Sequence, residues 1–427
     1  MAVNPFTFGN PIRDPARFHG RSQEIRQITN RLLSSAHEST SIVGERRIGK
    51  TSLLTYLSHP DVAPRLGLAP DRFCLVYLDF QGLTDITPLR FWQRVLAKMA
   101  RSACTPGLAA RFKALAAQSE FDLFDLEDLF EEVAAHNLNV VLFLDEFEYV
   151  TQNPNFGGDF FGGLRALAIH HGLALVPATR RELVDLCHSD EIKGSPFFNI
   201  FASVVLRRFP PADAQALLQA YTSSAGISLP PEEQDIVLRL GGGHPLFLQM
   251  AGHYLVEGKL QGLTGPALLT RLQADFDHQA QPHFSDLWAH CSEGEKITLL
   301  AILALSRQKP TKKTLPNLEN LTRLHPRARP DATSLANRGL LDETDGVYSL
   351  FSPSFENWVA LELSAEPGHE EAADSVQTWL QESGWDTIDP IKGILPRFKK
   401  KYWPILGELL KDLSFKMIAV AAAERLI

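Results

Sequence analysis

Eight consecutive residues, Gly44-Glu45-Arg46-Arg47-Ile48-Gly49-Lys50-Thr51, fit the pattern GxxxxGK[ST] without departure. Glycines at both ends of such a turn let the backbone close around an anion, so that main-chain N–H groups point at its oxygens, and the helix that starts there adds its positive end. Lys50 suits the β- and γ-phosphates of a nucleotide, the Thr51 hydroxyl suits Mg²⁺, and Ser52 completes the phosphate-contacting set. A second constellation follows. Five apolar residues, Val140-Val141-Leu142-Phe143-Leu144, run into Asp145 and Glu146. An acidic pair at the carboxyl end of a buried parallel strand faces the crevice where ligands bind. There Asp145 is expected to hold the Mg²⁺ shell and Glu146 to polarise the attacking water. A third strand-like run, LALVPAT, ends in Thr179, a place from which a hydroxyl can meet the terminal phosphate or its water. Arg180 and Arg181 follow it, and Arg207 and Arg208 close the next strand. An arginine on this edge can reach a neighbouring subunit's nucleotide as a finger, with Arg180 and Arg181 placed ahead; the alternative is a surface ion pair.

These residues need elements to position them. A short strand at 39–43 leading into the glycine-bounded loop, and largely apolar runs at 73–80, 139–144, 173–178 and 203–206, predict five strands of a parallel sheet covered on both faces. Helical periodicity at 23–33, 51–57, 89–103 and 125–136 supplies the covering layers, giving an α/β domain of about 200 residues. Beyond residue 211 the strand signals stop. Helices are expected at 212–225, 231–240, 245–256 and 266–276, then at 293–306 and near 331–338. The run LLDETDGVYSLF carries Asp345-Gly346 between apolar residues, a strong hairpin signal. The predicted fold is therefore a P-loop parallel sheet with its lead-in (1–210), an all-α lid (211–290), a winged helix (291–362), and a linker with a basic helical C-terminal segment (363–427).

Composition sets the class. The 427 residues are 44% hydrophobic and 22% charged, ordinary for a globular chain, with a formal net charge of −8. Binding to nucleic acid through overall charge is excluded, although a local basic surface is not. Cys74, Cys104, Cys187 and Cys291 lie far apart and form no CxxC pair, which removes zinc-ribbon and redox motifs and fits a reducing compartment. No apolar run reaches the roughly 18–20 residues that span a bilayer, and residues 1–13 do not read as a signal peptide. A cytoplasmic protein is expected.

Taken together, GERRIGKT, LFLDE, PATRREL and GGGHPLFLQ resemble the STAND and AAA+-like ATPases of bacteria and archaea, and the lead-in NPFTFGNPIRDPARFHGRSQEI is similar to the N-terminal element of that group. The likeness covers about residues 1–360. It implies ATP/ADP with Mg²⁺ as cofactors, and slow regulatory hydrolysis. It also implies that Gly20 and Arg21 lie near the adenine, that Thr179 is the sensor residue, and that His244 and Pro245 touch nucleotide from the lid. Such a chain would be a switch whose domains reorient and self-assemble with nucleotide state, in signalling or antiviral defence. Members commonly carry effector and repeat-sensor segments that are not evident here, so either a separate sensor or effector protein supplies them, the short tail does, or the chain is a piece of a longer one. A DNA-binding or remodelling ATPase of the origin-recognition or transposition type is the alternative.

Three further segments invite chemistry. Residues 311–329 hold Lys312, Lys313, Arg323, Arg327 and Arg329, which could meet DNA phosphates, with Asn337 and Arg338 as base readers on the following helix. The tail 391–416 carries seven basic residues against Glu408 and Asp412, interleaved with Phe398, Tyr402 and Trp403. It suits an anionic membrane, a nucleic acid, or packing on the acidic body or a partner. Residues 156–163, FGGDFFGG, read as a loop whose phenylalanines form a subunit or pore contact, or anchor the next helix in the core.

Overall fold

The computed structural model describes residues 4–102, 105–188, 196–307, 314–363, 382 and 398–404. The chain divides into two compact units, Thr7–Tyr221 and a second composed of Met1–Phe6 with Thr222–Ile427.

The unit Thr7–Tyr221 is built on five strands: β1 (Thr40–Val43), β2 (Phe73–Asp79), β3 (Asn139–Asp145), β4 (Leu173–Thr179) and β5 (Ala202–Val205). All pair in parallel, in the order β2-β3-β4-β1-β5. Each stands within one residue of its predicted bounds. Strands β3 and β4 are buried at every position except Asn139, because helices cover both faces. Side chains alternate between two cores. Val140, Leu142 and Leu144 join a cluster with Phe91, Phe130 and Leu167. Val141 and Phe143 join another with Leu53, Leu54 and Leu57. That alternation turns Asp145 to the side of the helix following the phosphate loop.

The covering helices are α1 (Ser22–Leu32), α2 (Lys50–Leu57), α3 (Pro88–Ser102), α4 (Pro106–Ala116), α5 (Leu123–Ala135), α6 (Glu148–Thr151), α7 (Gly158–His170) and α8 (Pro211–Ser224). Helix α4 was not expected from the sequence; Leu108, Phe112 and Leu115 bury one face of it. The segment 156–163 is corrected from a loop. From Gly158 it is the opening of α7, with Phe156 and Phe161 fully buried and Phe160 packed against them. Core anchoring, not a pore contact, explains its aromatics.

In the second unit, α9 (Pro231–Gly241), α10 (Pro245–Leu260), α11 (Gly265–Ala289), α12 (Glu293–Ser306), α13 (Leu318–Leu324) and α14 (Ala328–Asn337) precede the antiparallel hairpin β6 (Leu341–Thr344) and β7 (Val347–Leu350), and α15 (Pro353–Leu363) follows. Asp345 and Gly346 turn the hairpin with φ of 52° and 76°, as a two-residue turn of this hand requires. Helix α11 outruns its expected end at residue 276 and continues through Pro282, its later turns held by buried Phe284, Leu287 and Trp288. Helix α13 replaces part of the expected basic loop. Its Asn317 side chain accepts from the Asn320 N–H at the helix start.

Candidate active site

The phosphate loop connects β1 to α2. Gly44 has no room for a side chain: a Cβ there would meet Ile48 Cγ2 at 2.9 Å and the Leu206 carbonyl at 3.0 Å. Gly49 instead needs its backbone freedom, with φ of 105° at the helix start. A Cβ on Gly49 would meet nothing within 4 Å, so the loop is open on that side. Lys50 is buried, and its Nζ donates to the carbonyls of Gly44 (2.8 Å) and Glu45 (3.2 Å). Burial pushes its pKa down, against the pull of Glu146, Glu148 and Asp145. Arg46 and Arg47 are exposed on the loop while Ile48 packs inward.

Strand β4 ties the site's two loops together, because it lies between β1 and β3. The Thr179 carbonyl accepts from Gly44 N (3.1 Å), and the Ala178 carbonyl accepts from Phe147 N (3.1 Å). The acidic pair is thereby held beside the phosphate loop. Asp145 is 1% exposed. Its Oδ1 accepts from Glu146 N at 3.1 Å and its Oδ2 from the Tyr77 hydroxyl at 2.9 Å. Burial drives its pKa up, although hydrogen bonds from Thr51 and Tyr77 oppose this. Glu146 is half-buried and sits at φ of 51°, a left-handed conformation costly for a glutamate and common at functional sites. Thr179 is fully buried, and its hydroxyl donates to the Arg181 carbonyl at 2.7 Å, fixing the turn that carries Arg180 and Arg181.

Sequence reasoning missed Glu148. It is 8% exposed, and neither carboxylate oxygen has a hydrogen-bond partner. Burial pushes its pKa up to about 7, helped by Glu146 and opposed by Lys50 and Arg180. Arg180 therefore brings its charge to bear on the site of its own chain. No periodic signal marked Glu148: Asp145 ends a strand, the short helix opens only at Glu148, and the turn between them brings this side chain within reach of Lys50.

The lead-in also gathers around the phosphate loop. The Gly9 carbonyl accepts from Arg47 (2.8 Å), and Ile12 N donates to the Ser52 hydroxyl (3.0 Å). Phe18 stacks on Tyr56 with ring centroids 4.3 Å apart. Arg21 is buried; it donates to the Ile48 carbonyl (3.0 Å), pairs with Glu24 (3.0 Å) and lies 4.6 Å over the Phe209 ring. Gly20, at φ of 72°, packs against Phe209 and Asp213. Arg21 thus braces the loop's backbone, a role not foreseen for it, and the Ser52 hydroxyl serves the lead-in.

His244 and Pro245 belong to the second unit, at the start of α10. The His244 ring is buried, 4.7 Å from that of Phe247. Arg338, expected as a base reader, is turned inward and pairs with Glu295 at 2.7 Å, while Asn337 is exposed. Arg323 pairs with Glu319 (3.1 Å). Lys312 and Lys313 lie outside the described residues. The tail reading is settled for residues 398–404: Phe398, Tyr402 and Trp403 are buried, and Glu362 accepts from Lys399 (3.1 Å), Lys401 (2.6 Å) and Tyr402 (2.5 Å). These aromatics pack on their own unit, so they are not available to insert between bases or lipids. The rest of the tail, and Cys104, lie outside the described residues; Cys74, Cys187 and Cys291 are buried thiols outside any disulfide. Among the described residues, no helix is long and apolar enough to cross a membrane.

The residues present fit a nucleotide with its metal. Gly49 opens the turn where a phosphate must approach, and the buried ammonium of Lys50 now satisfies itself on loop carbonyls. Thr51 and Asp145 offer a hydroxyl and a carboxylate, the hard oxygen donors that Mg²⁺ prefers. Over 82% of this chain and 98% of its own length, a Walker-type ATPase of Pyrococcus abyssi superposes with a TM-score of 0.53 at 16% identity. The ORC2 protein of Aeropyrum pernix, solved as ADPNP-ADP complexes, gives 0.50 at 16% identity over 83% and 97%. Both likenesses establish the fold. Comparison with curated protein sequences finds no match. A family profile described as Novel STAND NTPase 2 matches residues 21–305, about two thirds of the chain. With its phosphate loop, acidic strand end and five-stranded parallel sheet, the chain belongs to this family of STAND NTPases.

Proposed function

We propose that this NTPase is an ATP-controlled switch that binds ATP with Mg²⁺, hydrolyses it slowly and reassembles with nucleotide state. The observation that carries the reading is the placement of Lys50 within the electrostatic reach of Asp145 and Glu146, the ends of β1 and β3 being tied across the intervening β4 by the Ala178 and Thr179 carbonyls. Lys50 and the loop N–H groups would hold the phosphates, and Thr51 and Asp145 the Mg²⁺. A bound Mg²⁺ would supply charge neutralisation between the phosphates. Glu146 stands where a water in line with the terminal phosphate can be oriented. Arg180, whose charge bears on Glu148, is the candidate for a role toward the nucleotide of its own chain. Thr179 sets the turn that carries Arg180, and Arg181 is the exposed member that a neighbouring subunit's nucleotide could meet.

In this reading residues 211–290 form the lid, residues 291–362 form a winged helix, and His244 and Pro245 contact nucleotide from the lid. Self-assembly, a separate sensor or effector protein, and a role in cytoplasmic signalling or antiviral defence are further parts of the proposal, supported by the resemblance to STAND ATPases. A DNA-directed role is disfavoured, because Arg338 is engaged with Glu295 and the described tail aromatics are buried. Steady-state phosphate release tests the reading. Glu146→Gln should lose at least tenfold in turnover while retaining ATP affinity; equal turnover in both proteins would remove Glu146 from the chemistry.

A further inference from the structure

Asp145 is reached from the neighbouring strand by a residue to which no role has been given. Tyr77 lies on β2 in register with Phe143, while Asp79 pairs with Asp145. Side chains two apart on a strand share a face, so Tyr77 and Asp145 are diagonal neighbours on one face of the sheet, a span that an aromatic ring covers. The ring packs with the core beneath α2, alongside Leu75, and the hydroxyl extends past that core to Asp145 Oδ2 at 2.9 Å. Phenylalanine would fill the same space. The hydroxyl is the one feature that distinguishes Tyr77 from it, and a half-buried hydroxyl needs a partner.

The other contacts of the carboxylate show what that bond does. Oδ1 is held by the Glu146 N–H at 3.1 Å. With Oδ2 held by Tyr77, the carboxylate plane is fixed from both sides; Thr51 donates to it as well, but Thr51 would itself turn to the metal, whereas Tyr77 and the Glu146 N–H would remain. A group that fixes a metal-holding carboxylate in this way controls metal affinity without touching the metal. We propose that Tyr77 is a positioning residue that sets the Mg²⁺ affinity of the nucleotide site by orienting Asp145. The inference rests on the ATP·Mg²⁺ reading above. It assigns to the β2 edge of the sheet a part in coupling metal to nucleotide.

The test uses the full chain and N-methylanthraniloyl-ADP as the fluorescent probe. Mg²⁺ is titrated at fixed probe into wild type, Tyr77→Phe and Tyr77→His, and each protein is also measured in EDTA. In Tyr77→Phe the Mg²⁺ midpoint should rise about tenfold while affinity in EDTA stays unchanged. Tyr77→His keeps a donor on the ring and should recover part of the shift; it also carries the test should the phenylalanine variant not fold. In an Asp145→Ala background the Tyr77→Phe change should have no further effect. An unchanged midpoint in Tyr77→Phe overturns the proposal, as do equal shifts in the Phe and His variants. Failure of wild type to bind the probe, or to respond to Mg²⁺, would instead overturn the ATP·Mg²⁺ reading itself.

Discussion

Glu148 permits the most detailed prediction. Its carboxyl is buried, its oxygens lack hydrogen-bond partners, and its pKa is raised from 4.5 to about 7. The sign follows from linkage. Below pH 4.5 the group is protonated in both folded and unfolded chains and contributes nothing. Between 4.5 and 7 the folded chain holds a proton that the unfolded chain has released, so stability falls as pH rises. Above pH 7 the full penalty is present. At about 1.4 kcal/mol per pKa unit it amounts to roughly 3 kcal/mol. Glu148→Gln removes the charge at every pH and leaves a buried amide whose cost does not change with pH. The difference between variant and wild type should therefore move in the variant's favour by roughly 3 kcal/mol from pH 4.5 to pH 9. For a unit of this size that is on the order of 6–12 °C in melting temperature. Scanning calorimetry of the nucleotide-free protein measures it, with the transition of the Thr7–Tyr221 unit identified by its shift on adding ATP. Parallel melting curves for the two proteins across that pH range would refute the assignment of a buried, only partly compensated charge to Glu148.

Two further predictions concern the scaffold. Arg21→Ala deletes the donor to the Ile48 carbonyl, the Glu24 pair and the contact with Phe209. It should lower stability by about 2 kcal/mol and weaken ATP binding about tenfold, read by calorimetric titration; unchanged ATP affinity would show that the lead-in does not brace the phosphate loop. Arg338→Ala removes the cation beside buried Glu295, leaving it the Ser292 N–H and the Ser334 hydroxyl, and should cost about 3 kcal/mol in urea unfolding. A loss within 0.5 kcal/mol would mean that Arg338 is free for an outside partner.

The parts legible in the sequence are those that local pattern dictates. GERRIGKT carries its own geometry, and continuous apolar strands such as VVLFL declare burial on both faces, so the five strands and the Lys50, Asp145 and Glu146 constellation could be placed in advance. The remainder depends on which strands lie side by side. Tyr77 faces Asp145 only because β2 borders β3, and Arg21 meets Ile48 only because the lead-in folds back along the phosphate loop. Neither adjacency leaves a periodic signal. Helix α7 was concealed by its glycines, which are poor helix formers; buried Phe161, Leu164 and Leu167 outweigh that propensity, and Gly163 has Leu123 beside it. Arg338 shows the opposite failure. Its sequence context reads as exposed and basic, yet Glu295, 43 positions earlier, takes its charge inside the unit.

The central claim is that Lys50 serves a nucleotide phosphate. Equilibrium titration of ATP with saturating Mg²⁺ into wild type and Lys50→Ala tests it most directly. The account predicts saturable binding to wild type and a loss of at least a hundredfold in Lys50→Ala, with the melting behaviour of the Thr222–Ile427 unit unchanged. Equal affinity in the two proteins, or no saturable binding to wild type, would contradict it.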